Sequence, residues 1–209
     1  MDQLFHLVIH LRVQSKKGIP VNSDTTIVSS IYQSGAFYDL LWETRPEYLA
    51  YWSTLAQRYG DPILEIMCGT GIIAIPLAQQ GYQVSGVDLA ETMLAEAKRK
   101  SAAAGVEVEW VQGDVRDFAL GQQFKLIYLH GNSISHLLTR EDLEACLASV
   151  RRHLHPEGRF AVSLFVPDLS MLMRTPEEEQ PFAEGVDPKS GEKIVLTQRS
   201  WYDAATQLK

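Results

Sequence analysis

The chain has 209 residues, of which 45% are hydrophobic, and a formal net charge of −7. That length and apolar content build one α/β domain with a sizeable core and exclude a disordered chain. The acidic balance argues against nucleic-acid and anionic-membrane partners, no apolar run approaches the ~18 residues of a membrane span, and two distant cysteines make neither a disulfide framework nor a zinc site.

Residues 1–25 read as an extension of unknown order. Met1 to Val13 is apolar but short, with Asp2 at its start and Lys16 and Lys17 behind it. A secretory signal has the opposite polarity and a small-residue cleavage site, so a cytoplasmic location is expected. His6 and His10 stand four apart on a candidate helix, but no third ligand accompanies them, so no metal site is expected. In Phe37-Tyr38-Asp39-Leu40-Leu41, the three apolar residues Phe37, Leu40 and Leu41 form one helix face. The Tyr38 hydroxyl needs a polar partner if it is buried there. Pro46 to Tyr59 predicts a helix, with Leu49, Trp52, Leu55 and Tyr59 at helical spacing and Gly60 as the stop.

The stretch Ile63 to Ala78 predicts a buried strand, a tight glycine turn and a helix beginning near Gly71. Gly69 and Gly71 allow the sharp turn and the close approach of a ligand to the main chain. The helix aims free N–H groups at that ligand, and Glu65 adds a carboxylate near the strand's exit. A phosphate loop of the Walker type is excluded, because no Gly-Lys-Ser/Thr ending is present. A dinucleotide site stays open, because Gly69-Thr70-Gly71-Ile72-Ile73-Ala74 fits G-x-G-x-x-A.

Gly81 to Asp88 predicts a second strand ending in an acid, followed by a helix over Ala90 to Ala104 stopped by Gly105. The two oxygens of Asp88 match the two hydroxyls of a ribose. Val108 to Val115 predicts a third strand, again with an acid, Asp114, at its end, and Phe124 to Leu129 a fourth. Thr139 opens a helix with Asp142 in a near capping box and Leu143, Leu147, Val150 and Leu154 on its buried face. Gly158 to Val166 predicts a fifth strand, ended by Pro167. Five strands with intervening helices predict an α/β fold with a doubly wound, mostly parallel sheet over residues 26–167. Met171 to Pro188 reads as a solvated acidic connection. Gly191 to Tyr202 is β-rich, with a turn at Asp203 and a return strand from Thr206, so 168–209 is expected to be an antiparallel β segment.

The run Glu65-x-x-Cys68-Gly69-Thr70-Gly71, followed by acids at the ends of the next two strands, resembles the ordered motifs of the class I S-adenosylmethionine-dependent methyltransferases that act on small molecules. One departure is Met67, where that family most often carries another glycine. The resemblance covers about residues 27–167 and implies S-adenosylmethionine as cofactor, S-adenosylhomocysteine as product and no metal. It implies that Tyr38, on a cap helix, closes over the cofactor and that Glu65 lies near the methionine ammonium. Met67, Cys68, Gly69 and Gly71 form the cofactor loop. Asp88, with Leu89, takes the ribose, and Asp114 with the backbone N–H of Val115 reads the adenine edge. His130 opens a loop beside the cofactor and substrate. The family's sheet normally gains two more strands after the fifth. The last sheet strands are therefore expected to be missing, leaving residues 158–166 as an apolar edge.

A sulfonium already makes its methyl electrophilic, so the expected task is to align a nucleophile and exclude water. An oxygen, or an amine arriving protonated, also needs a base. His130 and His136 are the candidates, with a structural role for His136 equally expected, and Asn132 is placed to orient substrate or loop. The expected reaction is direct in-line methyl transfer to a small-molecule nitrogen or oxygen. An NAD(P)-dependent oxidoreductase and an inactive cofactor-binding remnant are the alternatives. Residues 192–209 are expected to shape substrate choice and not cofactor affinity.

Overall fold

The computed structural model describes residues 6–14, 32, 34–42, 45–164, 169–175, 177–186 and 193–201. In chain order the elements are β1 (His6–Gln14), α1 (Gly35–Leu41), α2 (Pro46–Tyr59), β2 (Ile63–Ile66), α3 (Ala74–Gln79), β3 (Val84–Asp88) and α4 (Glu91–Ala103). Then follow β4 (Glu109–Gln112), β5 (Phe124–Leu129), α5 (Arg140–His153), β6 (Leu154–Val162), α6 (Leu169–Leu172), β7 (Glu179–Val186) and β8 (Lys193–Trp201). The chain divides into two compact units, Tyr32–Phe165 and the pair of segments Met1–Ile31 and Val166–Lys209.

The larger unit is built on five parallel strands in the order β4-β3-β2-β5-β6. β2 is buried along its whole length, and β5 nearly so, which explains why both read as continuous apolar runs. Their side chains alternate between two cores. Ile63, Leu126 and Tyr128 pack with Trp52, Ile73 and Leu77 on one face. Leu64, Ile127 and Leu129 pack with Phe118, Cys146 and Val150 on the other. Each such Leu or Ile contributes about 1.5–3 kcal/mol of burial. The chain runs outward from β2 through β3 to β4, then returns to β5 on the other side. That reversal between β2 and β5 opens a crevice at the carboxyl ends of the strands.

The helix over Pro46–Tyr59 has the predicted bounds, with Pro46 at its start and Gly60 at φ 74° as its cap. In α5, Thr139 caps as expected, its hydroxyl accepting from Asp142 N at 3.0 Å. The buried face differs. Leu147 is 43% exposed, while Cys146, Ser149, Val150 and His153 are buried. Polar contacts turn the helix: His153 stacks on Phe118 at 4.3 Å and accepts from Leu120 N at 3.1 Å. The fifth strand starts four residues earlier than predicted, directly after α5. Gly158 is required inside it, because a Cβ there would lie 2.8 Å from the Phe124 carbonyl oxygen. Residues 165–167 of the predicted strand and its stop lie outside the described residues.

The smaller unit is a three-stranded antiparallel sheet in the order β1-β8-β7. Two expectations are corrected here. His6 and His10 lie on a strand, not a helix, so their positions are about 13 Å apart and suit no shared metal. Part of the expected solvated connection is β7, whose Glu, Pro and Gly content is poor in strand formers. Pairing with β8 overrides that local preference. The turn at Asp203 and the return strand from Thr206 lie outside the described residues.

Candidate active site

A cavity of about 560 Å³ lies at the carboxyl ends of β2, β3 and β4. That volume is within the usual range for small-molecule and cofactor sites. Among the described residues, no group of His, Cys, Asp or Glu is arranged to hold a metal ion.

The glycine loop forms one wall. Met67 and Gly69 line the cavity. Both hold positive φ, 54° each, and Met67 does so without the freedom of glycine. A Cβ on Gly69 would meet only Met93 Cε at 3.5 Å, so the missing side chain leaves the main chain open to the cavity. Gly71 differs from expectation. It does not line the cavity, and a Cβ there would lie 2.5 Å from the Trp110 indole. Gly86 faces the same ring at 2.5 Å. Gly71 is therefore small to admit Trp110, whose Nε1 donates to Ser101 Oγ at 3.1 Å.

Asp88 and Leu89 form the next wall. Asp88 Oδ2 accepts from Gly69 N at 2.7 Å, and Oδ1 from Ala90 N at 2.9 Å. Each oxygen keeps a lone pair for a further donor. Burial pushes the Asp88 carboxyl above its ordinary range, against those hydrogen bonds and the nearby His136.

Glu65 and Cys68 lie behind the loop, not in the cavity wall. Glu65 is 3% exposed, and its Oε2 accepts from Ala74 N and from Tyr128 Oη, both at 3.0 Å. Burial pushes its carboxyl up to about 8. The Cys68 thiol is buried and raised for the same reason.

At the end of β4, Asp114, Val115 and Arg116 line the cavity. Asp114 pairs with Arg116, which holds its carboxyl below the usual range. Across the cavity stand aromatic residues from the N-terminal cap. Tyr38 lines the wall, and so does Tyr32, which the sequence reading passed over. Tyr38 stacks on Trp42 at 4.7 Å and lies 5.9 Å from Tyr32. Asp39 anchors this cap. Its Oδ2 accepts from Lys100 Nζ at 2.6 Å, and its Oδ1 accepts from the Thr70 hydroxyl.

The loop after β5 separates the two histidines. His136 lines the cavity, with its Nε2 3.0 Å from Tyr32 Oη. His130 does not. Its Nδ1 accepts from Trp52 Nε1 at 3.1 Å. An indole nitrogen only donates, so Nδ1 is bare and the proton of the neutral ring sits on Nε2. Burial lowers both histidines, opposed at His136 by Asp88. Asn132, at φ 66°, uses its carbonyl to accept from Ser135 N and Oγ within the loop. Arg116 and Tyr32 carried weaker signals: one is a loop cation two residues past an acid, the other an aromatic ahead of the cap.

Residues 63–158 match a family described as a methyltransferase domain. A dTDP-3-amino-3,4,6-trideoxy-α-D-glucopyranose N,N-dimethyltransferase of Streptomyces venezuelae is 34% identical over 128 residues, 58% of this chain and 52% of that relative. The chain spans about half the length of the curated relatives it matches. The CcbJ methyltransferase from Streptomyces caelestis superposes with a TM-score of 0.57 at 26% identity, over 78% of this chain and 74% of that one. An S-adenosylmethionine-dependent methyltransferase from Clostridium acetobutylicum ATCC 824 shares the fold, with a TM-score of 0.61 at 16% identity over 81% of each chain.

Proposed function

We propose that this chain, whose residues 63–158 match a methyltransferase domain, moves a methyl group from S-adenosylmethionine to a nitrogen or oxygen of a small molecule. One observation carries the choice of cofactor. The start of α3, where a dinucleotide would set its pyrophosphate, already directs Ala74 N to the Glu65 carboxyl. That N–H is already used and is not open to a phosphate, which disfavours a dinucleotide at this helix start.

In this reading Gly69 gives the ligand access to the main chain. Asp88 offers its free lone pairs to the ribose, and Asp114 with Val115 N meets the adenine. Tyr38 covers the site from the cap. Bound S-adenosylmethionine supplies an electrophilic methyl. The chain's own part is alignment, exclusion of water and removal of a proton. His136 takes that proton, because burial keeps its ring neutral and Tyr32 Oη, 3.0 Å away, steadies it. His130 is a positioning group, since Trp52 already occupies its basic nitrogen. An amine acceptor is favoured by the Streptomyces venezuelae relative, whose name specifies N,N-dimethylation. A cytoplasmic setting belongs to the same proposal and accords with two free, buried cysteines.

Calorimetric titration with S-adenosylhomocysteine and with NAD tests the assignment. The first should bind and the second should not. Asp88→Ala should weaken the first at least about tenfold, as expected for losing charge-assisted hydrogen bonds of ~1.5–3 kcal/mol each. NAD binding with no response to S-adenosylhomocysteine would return the site to the oxidoreductase reading. Binding without turnover over a panel of amines and alcohols would favour the remnant.

A further inference from the structure

We propose that Arg116 is a positioning residue that aims the Asp114 carboxylate at the purine, and so makes the site select a 6-amino over a 6-oxo nucleoside. The inference rests on the reading of the cavity as an S-adenosylmethionine site.

Arg116 holds Asp114 with both its backbone and its side chain. Oδ1 of Asp114 accepts from Arg116 N and Nε, both at 2.9 Å. Oδ2 accepts from Nη2 at 2.6 Å and from Nε at 3.1 Å. The guanidinium is itself tethered, with Nη1 donating to Asp142 Oδ1 at 2.7 Å in the first turn of α5. The Arg116 carbonyl accepts from Ser149 Oγ, a buried side chain, at 2.8 Å. Asp114 is therefore tethered to α5 through Arg116, which favours one rotamer of its carboxylate.

A carboxylate has about four acceptor positions. Three N–H hydrogens of Arg116 occupy three of them, the single Nε hydrogen being shared unequally between the two oxygens and closer to Oδ1, which leaves one position on Oδ2. One remaining acceptor matches one N–H donor, which an exocyclic amino group supplies and a 6-oxo group does not. The oxo group instead meets the carboxylate oxygen with its own lone pairs. Arg116 commits three of its five guanidinium N–H groups to the two carboxylates.

The test is titration of the full chain and its variants with S-adenosylhomocysteine and with S-inosylhomocysteine. The wild type should prefer the amino form by about tenfold or more, the scale of one charge-assisted hydrogen bond. In Arg116→Ala that ratio should fall below about threefold, with most of the loss on the amino form. Arg116→Lys should lie between, because a point charge replaces the fork. A purely structural role would lower both affinities together and leave the ratio intact, and that result would overturn the proposal. If Arg116→Ala does not fold, Asp142→Ala removes the outer tether and keeps Asp114 charged. Its ratio should drop at least about threefold, and an unchanged ratio again overturns the proposal. A wild type that binds neither compound would overturn the cofactor reading itself, and this inference with it.

Discussion

Ala74 N donates to Glu65 Oε2 at 3.0 Å, so the strand before the glycine loop caps the helix after it. The carboxyl that does this is also bonded to Tyr128 Oη and buried from solvent. It is thus a structural joint of the loop. Its charge is set by burial, which favours the protonated form, against two donors that favour the anion.

This joint makes stability depend on pH in a definite direction. The Glu65 carboxyl is raised from an ordinary 4.5 to about 8 in the folded chain. A raised folded value means that the native state holds the proton longer than the unfolded state. The contribution is fully present below the unfolded value and is lost as pH climbs towards the folded one. Glu65→Gln keeps a carbonyl oxygen for Ala74 and Tyr128 but cannot ionise. Melting temperatures from pH 5 to pH 8 should fall more for the wild type than for Glu65→Gln. Parallel curves would show that Glu65 ionises freely in the fold.

Trp110 and the glycines beneath it give a packing prediction. A Cβ at Gly86 would lie 2.5 Å from the indole, and Gly86, unlike Gly71, is not among the positive-φ glycines. Gly86→Ala should therefore cost about 1–3 kcal/mol through overpacking alone. Adding Trp110→Leu should recover part of that cost, a coupling read from denaturant unfolding of the four-member cycle. Strict additivity of the two changes would show that the ring is not what requires the glycine.

The two histidines should separate kinetically. His136→Gln should reduce methyl transfer by about 10²–10⁴-fold, the scale of general base catalysis, with cofactor affinity little changed. Because burial lowers His136 below an ordinary 6.5, the base stays available into mildly acid solution, and activity should fall only as pH drops through that lowered value. The acid limb should vanish in His136→Gln. His130→Gln should act mainly on stability, by breaking the bond to Trp52, and should leave the limb in place. An acid limb that disappears with His130 instead would reverse the assignment.

The pairing of β1 with β8 changes how the C-terminal segment has to be tested. Removing 168–209 alone would strip β1 of its only described partner strand and leave an open edge. Residues 32–165 on their own should fold, since both cores of the parallel sheet lie within them. S-adenosylhomocysteine affinity should stay within about threefold of the full chain, under ~0.7 kcal/mol, while methyl transfer is lost. A folded 32–165 that no longer binds S-adenosylhomocysteine would place part of the cofactor site in the other unit.

The parallel core was legible because its signals are local. Continuous apolar runs such as Ile63–Ile66 and Phe124–Leu129 name buried strands, Pro46 and Gly60 bound a helix, and an acid after a buried strand falls at the carboxyl edge of a sheet. That grammar alone brought Gly69, Asp88 and Asp114 to one cavity. Tertiary structure decided the rest, because the deciding contacts join distant residues. Gly71 answers to Trp110 across the sheet, and Glu65 is occupied by a hydroxyl sixty-three residues away. The buried face of α5 follows the ring of His153 against Phe118. His130 and His136 look alike in sequence. Only the Trp52 indole, fixed by α2 packing on β5, leaves one with its basic nitrogen engaged and the other facing the cavity. β1 and β8 show the limit most plainly. Their ladder closes between the two ends of the chain, and no local pattern in residues 6–14 names a partner that begins at Lys193.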